Sequence, residues 1–215
     1  MKTRQHKEPS VVQQRALAHI KDHPTTLVVG VDECGTGSWA GPVVVAAAAA
    51  YKDWDSPNVT DSKRLTHAKR LRAILEDIYP GVLAFIVLEE SSEVIDREGI
   101  ENVRRRLTVA AANACLEKVG PALVVQDGEY AIAMGSTPVI TLPSADLFVP
   151  AVSAASILGK VYRDLRMHDW SLVYPEYEFD KNVGYHSDAH VSALARYGVT
   201  PLHRRSYRPI RAYLR

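Results

Sequence analysis

Cysteine is scarce in this chain: Cys34 and Cys115 are the only two thiols among 215 residues. That is too few for a disulfide framework, and without a CxxC pair neither structural zinc nor dithiol redox chemistry is indicated. A reducing cytosol is the expected compartment. No uninterrupted apolar run is long enough to span a bilayer. The basic opening residues, MKTRQHKEPS, are not followed by the apolar stretch of a secretory signal, so no membrane role is expected. Internal repeats, low-complexity tracts and Gly/Ser linkers are also missing, and nothing marks a domain boundary before about Pro143.

What is present describes an ordinary globular protein, with 47% hydrophobic and 24% charged residues. The length suits one substantial core, and a single domain over residues 1–215 is expected, with residues from about 175 to 215 forming a C-terminal substrate-binding extension. The net charge of +1 conceals a polarity: residues 151–215 carry 10 Lys/Arg against 6 Asp/Glu, and residues 1–150 carry 16 against 19. An acidic part suited to metal cations and a basic tail suited to phosphates fit a nuclease.

Hydrophobic periodicity predicts a helix over Ser10–His23, a strand over Leu27–Val31 that stops at Asp32-Glu33, and a second strand over Val43–Tyr51. The alanines of that second run mark either strand or close packing. A helix is expected over Arg64–Tyr79, a strand over Val82–Leu88, and a helix or helix pair over Glu98–Val119. Strands follow over Ala122–Gln126, stopping at Asp127-Gly128, and over Pro138–Leu142. A long helix from Pro150 to about Tyr174 carries Ala151, Ser153, Ala154, Ala155 and Gly159, small enough to let it lie close against a sheet. A last helix is expected over His186–Tyr197, with an irregular basic tail from Pro201. Strands interleaved with helices indicate an α/β layer.

Acids mark three strand ends: Asp32-Glu33, Asp127, and Asp146 after the Pro138–Leu142 strand. In an open α/β sheet such ends converge on one site, and oxygen-only ligands select hard cations such as Mg²⁺ or Mn²⁺, two of which serve phosphoryl displacement when roughly 4 Å apart. Each acid alone also has a structural reading: Asp127-Gly128 as a turn, Asp146 as a helix cap, and Asp32-Glu33 as a solvated strand exit.

The segment Gly30-Val31-Asp32-Glu33-Cys34-Gly35-Thr36-Gly37-Ser38-Trp39-Ala40-Gly41-Pro42-Val43 resembles the opening signature of the ribonuclease HII family. Asp61-Ser62-Lys63-Arg64-Leu65 resembles its DSK-x-L element. Ala145-Asp146, the run Pro150 to Ile157, and Lys160-Val161-Tyr162-Arg163-Asp164 resemble its AD…SAASI-x-K-V-x-RD block, and Gly184-Tyr185-His186-Ser187-Asp188 resembles its GY-x-SD element. The blocks stand in family order over most of the chain.

The resemblance implies a ribonuclease H-like fold: an α/β protein with a mixed five-stranded sheet flanked by helices and a C-terminal helical extension. It implies that Asp32, Glu33, Asp127 and Asp146 bind two Mg²⁺ or Mn²⁺ ions and form the catalytic centre. Asp164 is the alternative fourth acid and is otherwise expected to orient Lys or Arg side chains near the site. The expected substrates are RNA/DNA hybrids and ribonucleotide-containing duplex DNA, cut 5′ of the ribonucleotide to leave 3′-hydroxyl and 5′-phosphate ends. Only the 2′-hydroxyl separates the two sugars at a given position; the resemblance assigns its recognition to Gly35, Gly37 and Tyr185, with Thr36 and Lys63 also in substrate roles. Thr36 departs from the family, which has a cation between the two glycines, and a neutral hydroxyl does not replace a cation at a phosphate. A protein of the same fold that binds hybrids without cutting them is the alternative. No protein partner is evident, and a monomer is the default.

Other signals are discounted. Arg104-Arg105-Arg106 reads as a solvated helix face, and His186 and His190 as surface residues despite their metal-ligand spacing. Ser156 reads as core packing, and Lys160, like Lys63, as either a site lysine or a surface one. Arg204, Arg205, Arg208 and Arg211 are expected to meet phosphate.

Overall fold

A computed structural model of the protein describes residues 8–214; the first seven basic residues considered above lie outside them. Five strands form one sheet: β1 Leu27–Cys34, β2 Val43–Tyr51, β3 Ala84–Glu90, β4 Leu123–Asp127 and β5 Val139–Leu142. Their order is β3-β2-β1-β4-β5. β1 pairs antiparallel with β2, and β2 with β3, whereas β1 to β4 and β4 to β5 are parallel. The helices are α1 Val11–Asp22, α2 His67–Ala73, α3 Tyr79–Gly81, α4 Ser92–Glu98, α5 Ile100–Val119, α6 Pro150–Val173, α7 Phe179–Asn182, α8 Asp188–Tyr197 and α9 Arg208–Arg211.

The sheet is buried on both faces, which explains the unbroken apolar run of β2. Val43, Val45, Ala47 and Ala49 pack with Val29, Val31 and Val124 against α5, through Val103, Leu107, Ala111 and Cys115. Ala46 and Ala48, on the opposite face, meet Ala154, Ala155 and Ile157 of α6. The alanines are therefore both strand and close packing. A Cβ built on Gly30 would lie 2.2 Å from the backbone of Ala151 and Val152, and one on Gly159 would lie 3.3 Å from Ala46 Cβ. Backbone rests on backbone where α6 crosses β1.

Two expected elements come out differently. The stretch 64–79 is not one helix: Asp61 accepts from Lys63 N and caps a 3₁₀ turn over Ser62–Arg64, Thr66 accepts from Lys69 N and starts α2, and a π turn over Ile74–Ile78 leads into α3. Each capping oxygen satisfies an N–H that a continuous helix would have used itself. The basic tail is not wholly irregular, because it ends in the short helix α9, anchored by buried Ile210. Ile210 joins Ala40, Met167, Tyr177, Phe179, Ala193 and Leu194 in a cluster that ties the C-terminal residues to the end of α6 and to the loop after β1. Among the described residues no helix is long and apolar enough to cross a membrane.

Candidate active site

β1 runs three residues further than its apolar run, so Asp32 and Glu33 lie within it, opposite Ala46 and Val45 of β2. Strand alternation sends the two side chains to opposite faces. Asp32 faces α6, where the Ser156 hydroxyl bonds its carboxylate. Glu33 faces α5 and meets Arg104 Nη1 at 3.3 Å. Asp127, the last residue of β4, accepts from Ala145 N at 2.7 Å, and this bond holds the 3₁₀ turn Ala145–Leu147 that carries Asp146. Ser153 of α6 donates to the Asp146 carbonyl at 2.7 Å, fixing the same turn from the other side.

The electrostatics show how these acids feel one another. Burial first, then Asp127, raises the Asp32 pKa well above the ordinary carboxylate value. Glu33 is raised by burial and by Asp127, against the opposing pull of Arg104. Asp127 is raised by burial, partly offset by the Ala145 N–H and by Lys63. Asp146, only 6% exposed, is pushed up to about 7 by burial, Asp127 and Asp61. Lys63 lies in the field of Asp146, Asp32, Asp61 and Asp127, which together raise its pKa against the effect of burial. Four carboxylates from three segments thus share one under-neutralised site.

Oxygen donors carrying surplus negative charge suit a hard divalent cation. The donor chemistry fits, although among the described residues no three acid, His or Cys side chains already converge as a closed metal cage. The division of Asp32 and Glu33 between two faces, with Glu33 drawn to Arg104, is the physical reason.

A cleft of about 400 Å³ is lined by Asp32, Glu33, Gly35, Thr36, Ser62, Lys63, Ser156, Lys160 and Tyr185, among others. It brings together most of the residues proposed from sequence. Asp127 and Asp146 stand outside its lining and join through their charge, and Gly37 is exposed on the loop. A larger hollow of about 710 Å³ lies elsewhere, between Pro9, Asp55, Arg64, Leu65 and Phe148, and includes none of the four acids. Tyr185, 38% exposed, has its ring 5.4 Å from the Arg163 guanidinium. Asp164 accepts from Lys160 at 2.6 Å and from Arg70 at 3.0 Å.

Three residues dismissed or misplaced from sequence prove to be structural parts of this region. Arg104 is 4% exposed, not on a solvated face; it bridges Glu33 and Glu101, with its guanidinium 5.4 Å from the Tyr130 ring. His190 is fully buried and bonded to His203, not a surface residue. Arg204 is 0% exposed and donates to the carbonyls of Thr36 and Gly41, so it is not free to meet phosphate. Asp61 was quoted only as part of a motif, yet it lies close enough to raise the Asp146 pKa.

A mixed five-stranded sheet with acids on its two central strands and just beyond β5 defines a hydrolase of the ribonuclease H-like class. Comparison with known proteins narrows this. The family model for ribonuclease HII matches residues 29–210. A ribonuclease HII of Dichelobacter nodosus is 41% identical over 190 residues, covering 88% of this chain and 98% of that protein. The crystal structure of ribonuclease H2 from Pyrococcus horikoshii OT3 superposes with a TM-score of 0.71 at 26% identity, over 87% of this chain and 96% of that one. Bst-RNase HIII in complex with Mn²⁺ shares the fold with a TM-score of 0.68 at 19% identity, over 89% of this chain and 70% of that one. The chain belongs to the ribonuclease HII family, and it is accordingly an endoribonuclease acting on RNA paired with DNA.

Proposed function

We propose that this protein hydrolyses the RNA strand of RNA/DNA hybrids and also cuts 5′ of ribonucleotides embedded in duplex DNA, leaving 3′-hydroxyl and 5′-phosphate ends. The observation that carries the reading is the shared rise in the pKa of Asp32, Glu33, Asp127 and Asp146, chiefly through burial and one another's charge. These four acids would hold two Mg²⁺ or Mn²⁺ ions. When bound, such ions neutralise the phosphodiester and lower the pKa of an attacking water. Lys63 offsets part of the acids' charge from the cleft wall, which eases the approach of an anionic strand. Arg104 restrains Glu33 on the α5 side, and Asp127 orients the turn of Asp146 through Ala145 N. Tyr185 and the Gly35–Gly37 loop present the surface that meets the ribose, and residues from about 175 to 215 form the substrate-binding extension supporting that surface. Asp164 orients Lys160 and Arg70 beside the cleft.

Cleavage of two labelled duplexes with Mg²⁺ or Mn²⁺ tests this, one with a single embedded ribonucleotide and one a continuous hybrid, with Asp32→Asn as control. Cutting on the 5′ side by the intact protein and none by Asp32→Asn is the expected result. Binding of both duplexes without cutting would instead make the chain a hybrid-binding relative, and cleavage of plain duplex DNA would overturn the substrate assignment.

A further inference from the structure

The loop after β1 is held from beneath by two buried arginines. Arg163 donates to the carbonyls of Pro42 (2.9 Å), Val183 (2.8 Å) and Ala40 (3.2 Å) and to the Ser38 hydroxyl (2.8 Å). Arg204 donates to the Gly41 carbonyl through Nε (3.2 Å) and Nη2 (3.0 Å), and to the Thr36 carbonyl through Nη1 (2.8 Å). The Tyr207 hydroxyl donates to the same Thr36 carbonyl at 2.6 Å and accepts from Arg204 Nη1 at 2.9 Å. Neither guanidinium has a carboxylate partner among the described residues. A buried cation without a counter-ion is costly, and packing alone would be served as well by an apolar side chain.

Peptide geometry says what the arrangement accomplishes. Across a planar trans peptide the C=O and the following N–H point in opposite directions. With the Thr36 carbonyl drawn inward by Arg204 and Tyr207, the Gly37 N–H is directed outward, and Gly37 is exposed. Neither this N–H nor that of Thr36 has an acceptor among the described residues. A Cβ on Gly37 would meet nothing within 4 Å, and its φ lies outside the left-handed region. No contact inside the protein calls for glycine there, whereas close approach of a ligand to the backbone does.

We propose that Arg204 and Tyr207 are positioning residues that turn the Thr36–Gly37 peptide so that its N–H donates to a backbone oxygen of the nucleic-acid strand in the cleft. They supply from the C-terminal segment the order, and from a buried guanidinium the positive field, that position 36 lacks in its own side chain. The inference rests on the ribonuclease reading for the identity of the strand.

The test is equilibrium binding in EDTA, where no cutting occurs, to otherwise identical duplexes that are all DNA or carry one ribonucleotide. The intact protein, Tyr207→Phe and Gly37→Ala are compared, with thermal unfolding followed in parallel. Tyr207→Phe removes one hydrogen bond and Gly37→Ala obstructs the outward face, so each is expected to weaken binding by about fivefold, the scale of one hydrogen bond, with little change in unfolding temperature. Loss confined to the ribonucleotide duplex assigns the oxygen to the 2′-hydroxyl, and equal loss on both duplexes assigns it to phosphate. Unchanged binding by both variants, or losses that merely track thermal destabilisation, would overturn the proposal. If the intact protein binds neither duplex and cuts no ribonucleotide, the ribonuclease reading falls and this inference falls with it. Intact cleavage with unaffected variants removes only the inference.

Discussion

Replacing His203 by glutamine tests whether the link between the C-terminal segment and Tyr185 depends on two neutral imidazoles. Thr200 N donates to His203 Nδ1 at 2.9 Å, which leaves the proton of His203 on Nε2. That N–H faces His190 Nε2 at 3.0 Å, and His190 in turn donates from Nδ1 to the Tyr185 carbonyl at 2.9 Å. The pair is enclosed by Trp39, Tyr177 and Phe179, with His186 at the far side of Trp39. A proton added to either ring opposes two N–H groups and breaks the chain. Burial, reinforced by His190, pushes the His203 pKa down to about 4 from 6.5, and His190 is lowered as well, mainly by burial.

A histidine depressed in the folded state contributes its stability above the unfolded pKa and loses it as pH falls toward the folded one. At 1.36 kcal/mol for each pKa unit, His203 accounts for about 3 kcal/mol lost between pH 6.5 and 4, about 2 kcal/mol of it by pH 5. Asp146, raised to about 7, acts in the opposite direction, so the informative quantity is the difference between proteins. Urea unfolding of the intact protein and of His203→Gln at pH 7, 6 and 5 is expected to show a smaller stability loss in the variant by about 2 kcal/mol. Parallel pH dependences would refute the argument.

Gly30→Ala drives a Cβ to 2.2 Å from the α6 backbone; a loss of about 3 kcal/mol is expected in urea unfolding, and a loss below about 1 kcal/mol would mean that α6 is free to shift. Arg104→Leu frees Glu33 from a competing cation, and Mn²⁺ binding followed by electron paramagnetic resonance is expected to tighten by about tenfold, on the scale of one charged hydrogen bond; weaker binding would show that Arg104 shapes the site instead. Thr36→Arg restores a cation at the loop, and the slope of log affinity against log salt for a hybrid is expected to steepen by about one. An unchanged slope would mean that position 36 does not meet phosphate.

The sheet was legible because strand-length apolar runs ending in acids have few other readings, and the small residues of α6 foretold its close approach to β1. The break-up of residues 64–79 was not, because the hydroxyl of Thr66 and the carboxylate of Asp61 act as caps only once the chain has turned there. Two misreadings had a signal that went unused. Arg104 falls in register with Leu107, Thr108 and Ala111 on the buried stripe of α5, and His190 with Ala193 and Leu194 on that of α8. Residue type outweighed periodicity in both, although a polar residue on an apolar stripe is the pattern expected of a buried group with a specific partner.

Arg204 carried no such signal. It sits in a turn without periodicity, and its partners Thr36 and Gly41 are more than 160 residues away in the chain. Its burial also changes what the basic tail can do. Arg205, Arg208 and Arg211 remain exposed, so the charge polarity of the sequence overstates by one the cations that this tail offers to a phosphate backbone. The missing charge is beneath the loop whose own cation is replaced by Thr36. In that low-dielectric position it is screened less by salt than a surface arginine. Nucleic-acid binding at this loop should therefore keep more of its strength at high ionic strength than binding through Arg205, Arg208 and Arg211.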